Sequence, residues 1–114
     1  MNIEELQKKI ASFAKERDWE QFHTPKNLAC ALSVESSELL EIFQWMSRDE
    51  EENLSSETKQ RISEEISDIF VYLVRLADVL NIDLEKSITQ KMQQNAEKYP
   101  ADKVRGSSKK YTEY

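Results

Sequence analysis

Glycine, proline, histidine and cysteine are almost missing from this 114-residue sequence, which has one Gly, two Pro, one His and one Cys. With Gly106 as its single glycine, the chain cannot build a glycine-rich phosphate loop of the P-loop or dinucleotide-binding kind. A lone Cys30 rules out an intramolecular disulfide and a Cys-rich zinc site, and a reducing compartment, the cytoplasm, is the expected home. Long apolar runs are missing too. The longest, residues 69–74, is far short of the roughly 20 residues that cross a bilayer. The first nine residues lack the apolar centre of a signal peptide, so no membrane partner is expected. Positive charge is also in short supply: 16 Lys or Arg face 22 Asp or Glu, for a net charge of −6. That balance argues against a nucleic acid polymer as partner, because gripping phosphate backbone takes a basic stripe.

What remains reads with a helical period. Asn2 followed by Glu5 has the form of a capping box, and Ile3, Leu6, Ile10 and Phe13 recur at helical spacing toward Arg17. An aromatic connection follows, Asp18-Trp19-Glu20-Gln21-Phe22-His23. Thr24-Pro25 then starts a second helix, expected over residues 25–46. Residues 47–53, rich in Asp and Glu, are expected as a solvated loop. Ser55 or Ser56 caps a third helix on the stripe Ile62, Ile66, Ile69, Leu73, Leu76 and Leu80, which Asn81 ends. Asp83 caps a fourth, with Leu84, Ile88, Met92 and Ala96 facing inward as far as Tyr99-Pro100. No segment alternates with period two. The expectation is an all-α four-helix bundle over residues 1–100, followed by an irregular basic tail, residues 101–114. Phe43, Phe70 and Val74 fall off the main stripes. A helix apolar on more than one side usually packs against a second chain, so a homo-oligomer, dimer or tetramer, is expected. Cys30, between Leu28 and Leu32, is expected to pack as a small apolar residue.

Carboxylates sit where leucines belong. At 100° per residue, Leu28, Ala31, Leu39, Ile42 and Met46 fall within about 40° of Glu35, while Glu38 and Trp45 lie within about 20° of each other. On the third helix Glu65, Asp68 and Tyr72 group together and border Ile62, Ile69 and Leu76. One E-x-x-E pair is ordinarily a solvated face. Two such pairs on the inner arcs of helices long enough to pack together are harder to ascribe to chance. Buried together, four carboxylates either protonate or are neutralised by cations, because an unpaired buried charge costs several kcal/mol. No Lys or Arg shares either face, and a hard cation such as Mg²⁺ suits oxygen ligands. A di-iron bundle would need two Glu-x-x-His units. Glu20 and His23 form one, and the chain has no second His.

Glu35-Ser-Ser-Glu38-Leu-Leu-Glu41-Ile-Phe-Gln44-Trp45, followed by Glu64-Glu65-Ile-Ser-Asp68-Ile-Phe-Val-Tyr72, resembles the MazG-like superfamily of all-α nucleoside triphosphate pyrophosphohydrolases. The dCTP pyrophosphatase branch is the most similar, through Arg17 to His23, Lys91-Met92 to Tyr99-Pro100, and the tail from Gly106 to Glu113. The resemblance implies Glu35, Glu38, Glu65 and Asp68 as catalytic Mg²⁺ ligands. It implies a nucleotide pocket lined by Trp19, Phe22, His23, Trp45 and Tyr72, with Lys91 and Asn95 near the phosphates. The chain departs from its relatives at Ile10, where they carry a substrate-contacting His, and at Val34, where some members carry Glu.

The implied activity is Mg²⁺-dependent hydrolysis of a deoxynucleoside triphosphate (dCTP, with dATP and modified dCTP as alternatives) to monophosphate and pyrophosphate. Its implied purpose is cleansing of the nucleotide pool. Lys109 and Lys110 would add positive charge for the leaving pyrophosphate. Two rival readings are a non-catalytic helical interaction module, with the acids as a polar register device, and a nucleotide sensor that hydrolyses little.

Overall fold

The computed structural model describes residues 1–108. Among these the secondary structure is entirely helical, in two compact units, Met1–Ile82 and a second that begins at Asp83.

In the first unit each α-helix begins on a side-chain cap. Helix α1 (Ile3–Glu16) starts where Asn2 Oδ1 accepts the Glu5 N–H at 2.8 Å, with Glu4 and Glu5 in the first turn, where the helix dipole favours negative charge. It ends in a left-handed residue, Asp18, at φ 54°. The Trp19 N–H then reaches back to the Ala14 carbonyl at 2.9 Å, and the Asp18 N–H to that of Lys15 at 3.1 Å. This Schellman closure turns the chain into one turn of 3₁₀ helix, Glu20–Phe22. Thr24 Oγ1 caps α2 (Pro25–Phe43) by accepting the Asn27 N–H, and the Asn27 side chain donates to the Phe22 carbonyl at 3.0 Å. The aromatic connection is thereby anchored at both ends.

Helix α3 (Arg48–Glu52) stands where the composition led to a loop. Ser47 accepts the Glu50 N–H, and three acids occupy the first turn. A cap and the dipole thus stabilise a single turn that has no apolar face to bury. Helix α2 correspondingly stops at Phe43, three residues before the expected end. Helix α4 (Ser56–Val79), capped by Ser55, closes like α1: Asn81 adopts φ 55° and the Ile82 N–H meets the Ala77 carbonyl at 2.8 Å.

Helix α4 packs against both α2 and α1. The closed core is small: Ala14 from α1, Leu28 from α2, Val74 and Ala77 from α4, and the side chain of Arg75. Leu28 and Val74 are fully buried, worth roughly 1.5–3 kcal/mol each. Val74, placed off the stripe by periodicity, is thus core, because α4 meets neighbours on two sides. Conversely Ile66, Leu73 and Leu80, expected inward, are exposed together with Phe70. These four lie within about 40° of Ile66 and form an outward apolar strip. The face of α4 that carries Ile62, Glu65, Ile69 and Tyr72 is half-buried instead. Cys30 is exposed rather than packed, because it lies across α2 from the face that carries Leu28.

The second unit holds α5 (Leu84–Lys98), capped by Asp83, and a one-turn helix α6 (Ala101–Val104), formed within the segment expected to be irregular. Ile88, Met92 and Ala96, expected to face inward, are exposed. Lys109, Lys110 and the rest of the tail lie outside the described residues. No helix among the described residues is long and apolar enough to cross a membrane.

Candidate functional site

Helices α2 and α4 bring three of the four expected acids together. Glu35, Glu38 and Glu65 each offer one carboxylate oxygen, and these oxygens all lie within 4.8 Å of one another. The i, i+3 spacing puts Glu35 and Glu38 on adjoining arcs of α2, and the packing of α4 brings Glu65 across to them. Asp68, one turn on from Glu65, stays outside that trio and exposed, yet its charge acts on both Glu35 and Glu65.

The environment is only partly the dry interior expected. Glu38 is exposed, and Glu35 and Glu65 are half-buried. Within that half-burial, Glu35 Oε2 and Glu65 Oε2 are closed off from water and lack any hydrogen-bond partner. The serines two residues on from Glu35 and Glu65 lie on the far side of their helices. The hydroxyls of Ser37 and Ser67 donate to the carbonyls of Ser33 and Ser63 on their own helices. Among the described residues, the ion pairs of the first unit are Lys8–Glu4, Arg17–Glu16, Arg48–Glu52 and Arg75–Asp78, and none uses these acids.

The cost appears in the proton affinities. Burial, then the hydrogen bonds that a protonated Glu35 would donate to Glu38 and Glu65, then the charges of Glu38 and Asp68 push the Glu35 carboxyl up to about 7. Burial also raises Glu65, accepting such a hydrogen bond from a protonated Glu35 acts the other way, and the negative charge of Glu38 raises it further. Clustered carboxylates with orphaned buried oxygens and, among the described residues, no ion-pair partner are the donor set that a hard divalent cation satisfies.

The aromatic connection makes a second grouping. The Phe13 and Trp19 rings meet edge-on, with centroids 5.7 Å apart, and Trp19 lies 6.4 Å from the His23 ring. Arg17 caps the row, its guanidinium carbon 3.6 Å from the Phe13 centroid. His23 is half-buried, and its Nδ1 accepts a hydrogen bond of 3.0 Å from Arg75 Nε. Burial first, and then the Arg75 charge, hold the His23 pKa below its ordinary value. Arg75 in turn pairs with Asp78 at 3.5 Å. The sequence reading gives Phe13 a place only in the apolar stripe of α1 and assigns Arg75 no site role. The available signal was a guanidinium inside the apolar run Val74-Arg75-Leu76-Ala77, which has to find a partner if buried.

The other expected residues are distributed as follows. Trp19 is 44% exposed, Phe22 58% and Trp45 86%, the last lying just beyond the end of α2. Tyr72 is half-buried on α4, within about 20° of Glu65 around the axis. Lys91, exposed, and Asn95, half-buried, are on α5 in the second unit.

Over 113 residues the chain is 44% identical to dCTP pyrophosphatase 1 of Rattus norvegicus and of Homo sapiens, a match that covers 97% of this chain and 66% of each relative. The Bos taurus protein of the same name is 43% identical, with 67% of its length covered. The chain thus spans about two thirds of the length of the curated relatives it matches. Among solved structures, a pyrophosphatase from Archaeoglobus fulgidus superposes with a TM-score of 0.80 at 45% identity, over 85% of this chain and 91% of that one. Residues 30–114, which include the acids of both α2 and α4, match the model of the MazG-like family, and the chain belongs to that family.

Proposed function

We propose that this protein hydrolyses a deoxynucleoside triphosphate between its α- and β-phosphates, giving the monophosphate and pyrophosphate, and so clears unwanted nucleotides from the pool. One observation carries the reading: three carboxylates from two helices converge, and two of their oxygens are buried without a partner. The relatives named dCTP pyrophosphatase 1 support it, and they make dCTP the first substrate to test, ahead of dATP and modified dCTP.

Glu35, Glu38 and Glu65, with Asp68 at the margin, would hold Mg²⁺. A divalent cation held there would supply positive charge to offset that of the phosphates and Lewis acidity for the hydrolysis. The protein's own contribution is positioning. The orphaned oxygens of Glu35 and Glu65 set where positive charge is tolerated, and the substrate's phosphates follow that charge. Without a cation, four acids repel a polyanion, so substrate binding is metal-dependent. Trp19, Phe22, Trp45 and Tyr72 offer surfaces for base stacking, worth roughly 1–3 kcal/mol per base in single-strand binders. Their exposure leaves Trp19, Phe22 and Trp45 free to do so in a single chain. His23 offers a hydrogen-bonding edge beside Trp19. Lys91 and Asn95 are the candidates for the phosphate end.

The exposed strip of Ile66, Phe70, Leu73 and Leu80 supports a homo-oligomer in which neighbouring chains complete the pocket. Sedimentation that shows only a 13.4 kDa species at working concentration would refute that assembly. The activity is tested by pyrophosphate release from a panel of nucleoside triphosphates, with and without Mg²⁺. Release confined to deoxynucleotides and to Mg²⁺-containing samples is the expected result. Mg²⁺-independent stability with no release from any triphosphate would instead identify a helical interaction module, and tight binding with no release a sensor.

A further inference from the structure

We infer that Arg75 is a positioning residue that occupies His23 Nδ1, so that the imidazole beside Trp19 presents only its Nε2–H, an uncharged donor, to a substrate. The inference rests on the nucleotide reading for the identity of that substrate, and on the geometry alone for the state of the ring.

The argument starts from the donor inventory. Arginine carries N–H groups and no acceptor. The 3.0 Å contact from Arg75 Nε to His23 Nδ1 therefore requires Nδ1 to be the unprotonated, accepting nitrogen. The neutral ring then keeps its proton on Nε2. A second proton on Nδ1 would face the guanidinium directly, so the imidazolium is disfavoured by both donor–donor clash and like charge. Arg75 is itself held: its side chain is buried within α4, and Asp78 on the next turn pairs with its other arm at 3.5 Å. Two charged groups thus face His23 through α4, Arg75 directly and Asp78 behind it. From the other side the ring is oriented by its own segment. The Asp18 turn and the Thr24 and Asn27 anchors fix both ends of residues 18–24. Trp19, 44% exposed and 6.4 Å from the His23 ring, supplies the adjoining flat surface.

A ring so held provides one N–H and no charge. It suits a carbonyl or ring-nitrogen acceptor on a base stacked at Trp19, and it contributes nothing to neutralising phosphate. Arg75 is therefore a determinant of base recognition reached through His23, 52 positions away in the chain.

His23 is the single histidine, so its ¹⁵N resonances in the full-length protein need no assignment by mutation. The expected spectrum at neutral pH shows the proton on Nε2 and an accepting Nδ1. A proton found on Nδ1 overturns the inference outright. Two variants then separate hydrogen bond from charge. In Arg75→Gln the amide nitrogen follows Cδ as Nε does in arginine, so a donor remains without the guanidinium charge. In Arg75→Met a methyl replaces it. The methionine variant is expected to admit the Nδ1-protonated tautomer and to raise KM for dCTP roughly three- to ten-fold, the value of one neutral hydrogen bond, with kcat nearly unchanged. The glutamine variant is expected to restore both the tautomer and KM. Equal losses in the two variants would make Arg75 a purely structural or electrostatic residue and sink the proposal, as would a fall in kcat at constant KM. If the wild-type protein turned over no triphosphate, the nucleotide reading would fail, and the ¹⁵N spectra would still decide the positioning role.

Discussion

Two groups of partly buried charge sit in the first unit, and they are built on opposite terms. At the carboxylate cluster, Glu35 Oε2 and Glu65 Oε2 are shut away from water with nothing to bond. At the aromatic connection, Arg75 is more deeply buried and has partners in His23 and Asp78. A protein that can satisfy a buried guanidinium with its own side chains has no difficulty supplying donors in general. Leaving acids without them at one place therefore points outward, to a cation. The two sites are respectively open and closed in their bonding, and that difference separates a place for a ligand from a place that shapes one.

Four measurements break or sharpen the contrast. The largest effect is expected at Glu38, which is exposed and close to the other two acids. Glu38→Gln should reduce Mg²⁺-dependent pyrophosphate release to background while the circular dichroism stays helical, and near-normal rates would remove Glu38 from the metal site. Next comes metal-linked stability. At a hundredfold excess over Kd, Mg²⁺ stabilises a folded state by about 2.7 kcal/mol, enough to raise Tm by several degrees in a chain of this size. Glu35→Gln should melt higher than wild type without metal at pH 8 and gain little from Mg²⁺. A variant that melts lower in metal-free buffer would mean that Glu35 already has a partner.

The third measurement follows pH, and the two sites should respond with opposite sign. Glu35 is raised from 4.5 to about 7 in the folded chain. Its contribution to the metal-free fold is therefore present below pH 4.5 and lost as pH rises through about 7, where folding must accept one more negative charge beside those of Glu38 and Asp68. Mg²⁺ should compete with that proton and bind more weakly below pH 7. His23 lies below 6.5, so its contribution is intact above pH 6.5 and is lost as pH falls through its lower folded value. Melting curves of wild type against Glu35→Gln and His23→Gln should assign the two limbs. A His23→Gln profile unchanged on the acid side would contradict the hydrogen-bonded, neutral ring. The smallest effect is expected at Trp45. Trp45→Ala should weaken dCTP binding by roughly 1–3 kcal/mol if one stacking contact is lost, leaving Mg²⁺ affinity and Tm nearly unaltered because the ring is 86% exposed. Unchanged nucleotide affinity would take Trp45 out of the pocket.

Much of the fold was legible because its instructions are local. Asn2, Thr24, Ser55 and Asp83 each accept a backbone N–H three residues on, as their types and positions implied. The E-x-x-E spacing likewise announced Glu35 and Glu38 on one arc, and the trio with Glu65 followed once α2 and α4 packed. The misreadings share another cause. Ser47 and its acidic turn carry no periodic apolar signal, so α3 rested on a cap and a dipole alone. Val74 and Ile66 are both apolar residues on one helix. Nothing short-range says which of them meets a neighbour, and the structure buries the first and exposes the second.

The amino-acid order by itself determined where α1, α2, α4 and α5 start, which residues share a face, and that two of those faces carry acids. These outcomes depend on hydrogen bonds and dihedral preferences within about five residues. Only the packed structure decided which of α4's several apolar sides turns inward, which acid oxygens lose water, and that Arg75 reaches His23 across 52 positions. Those outcomes depend on desolvation and on partners distant in the chain, and neither is defined until the helices have closed on one another.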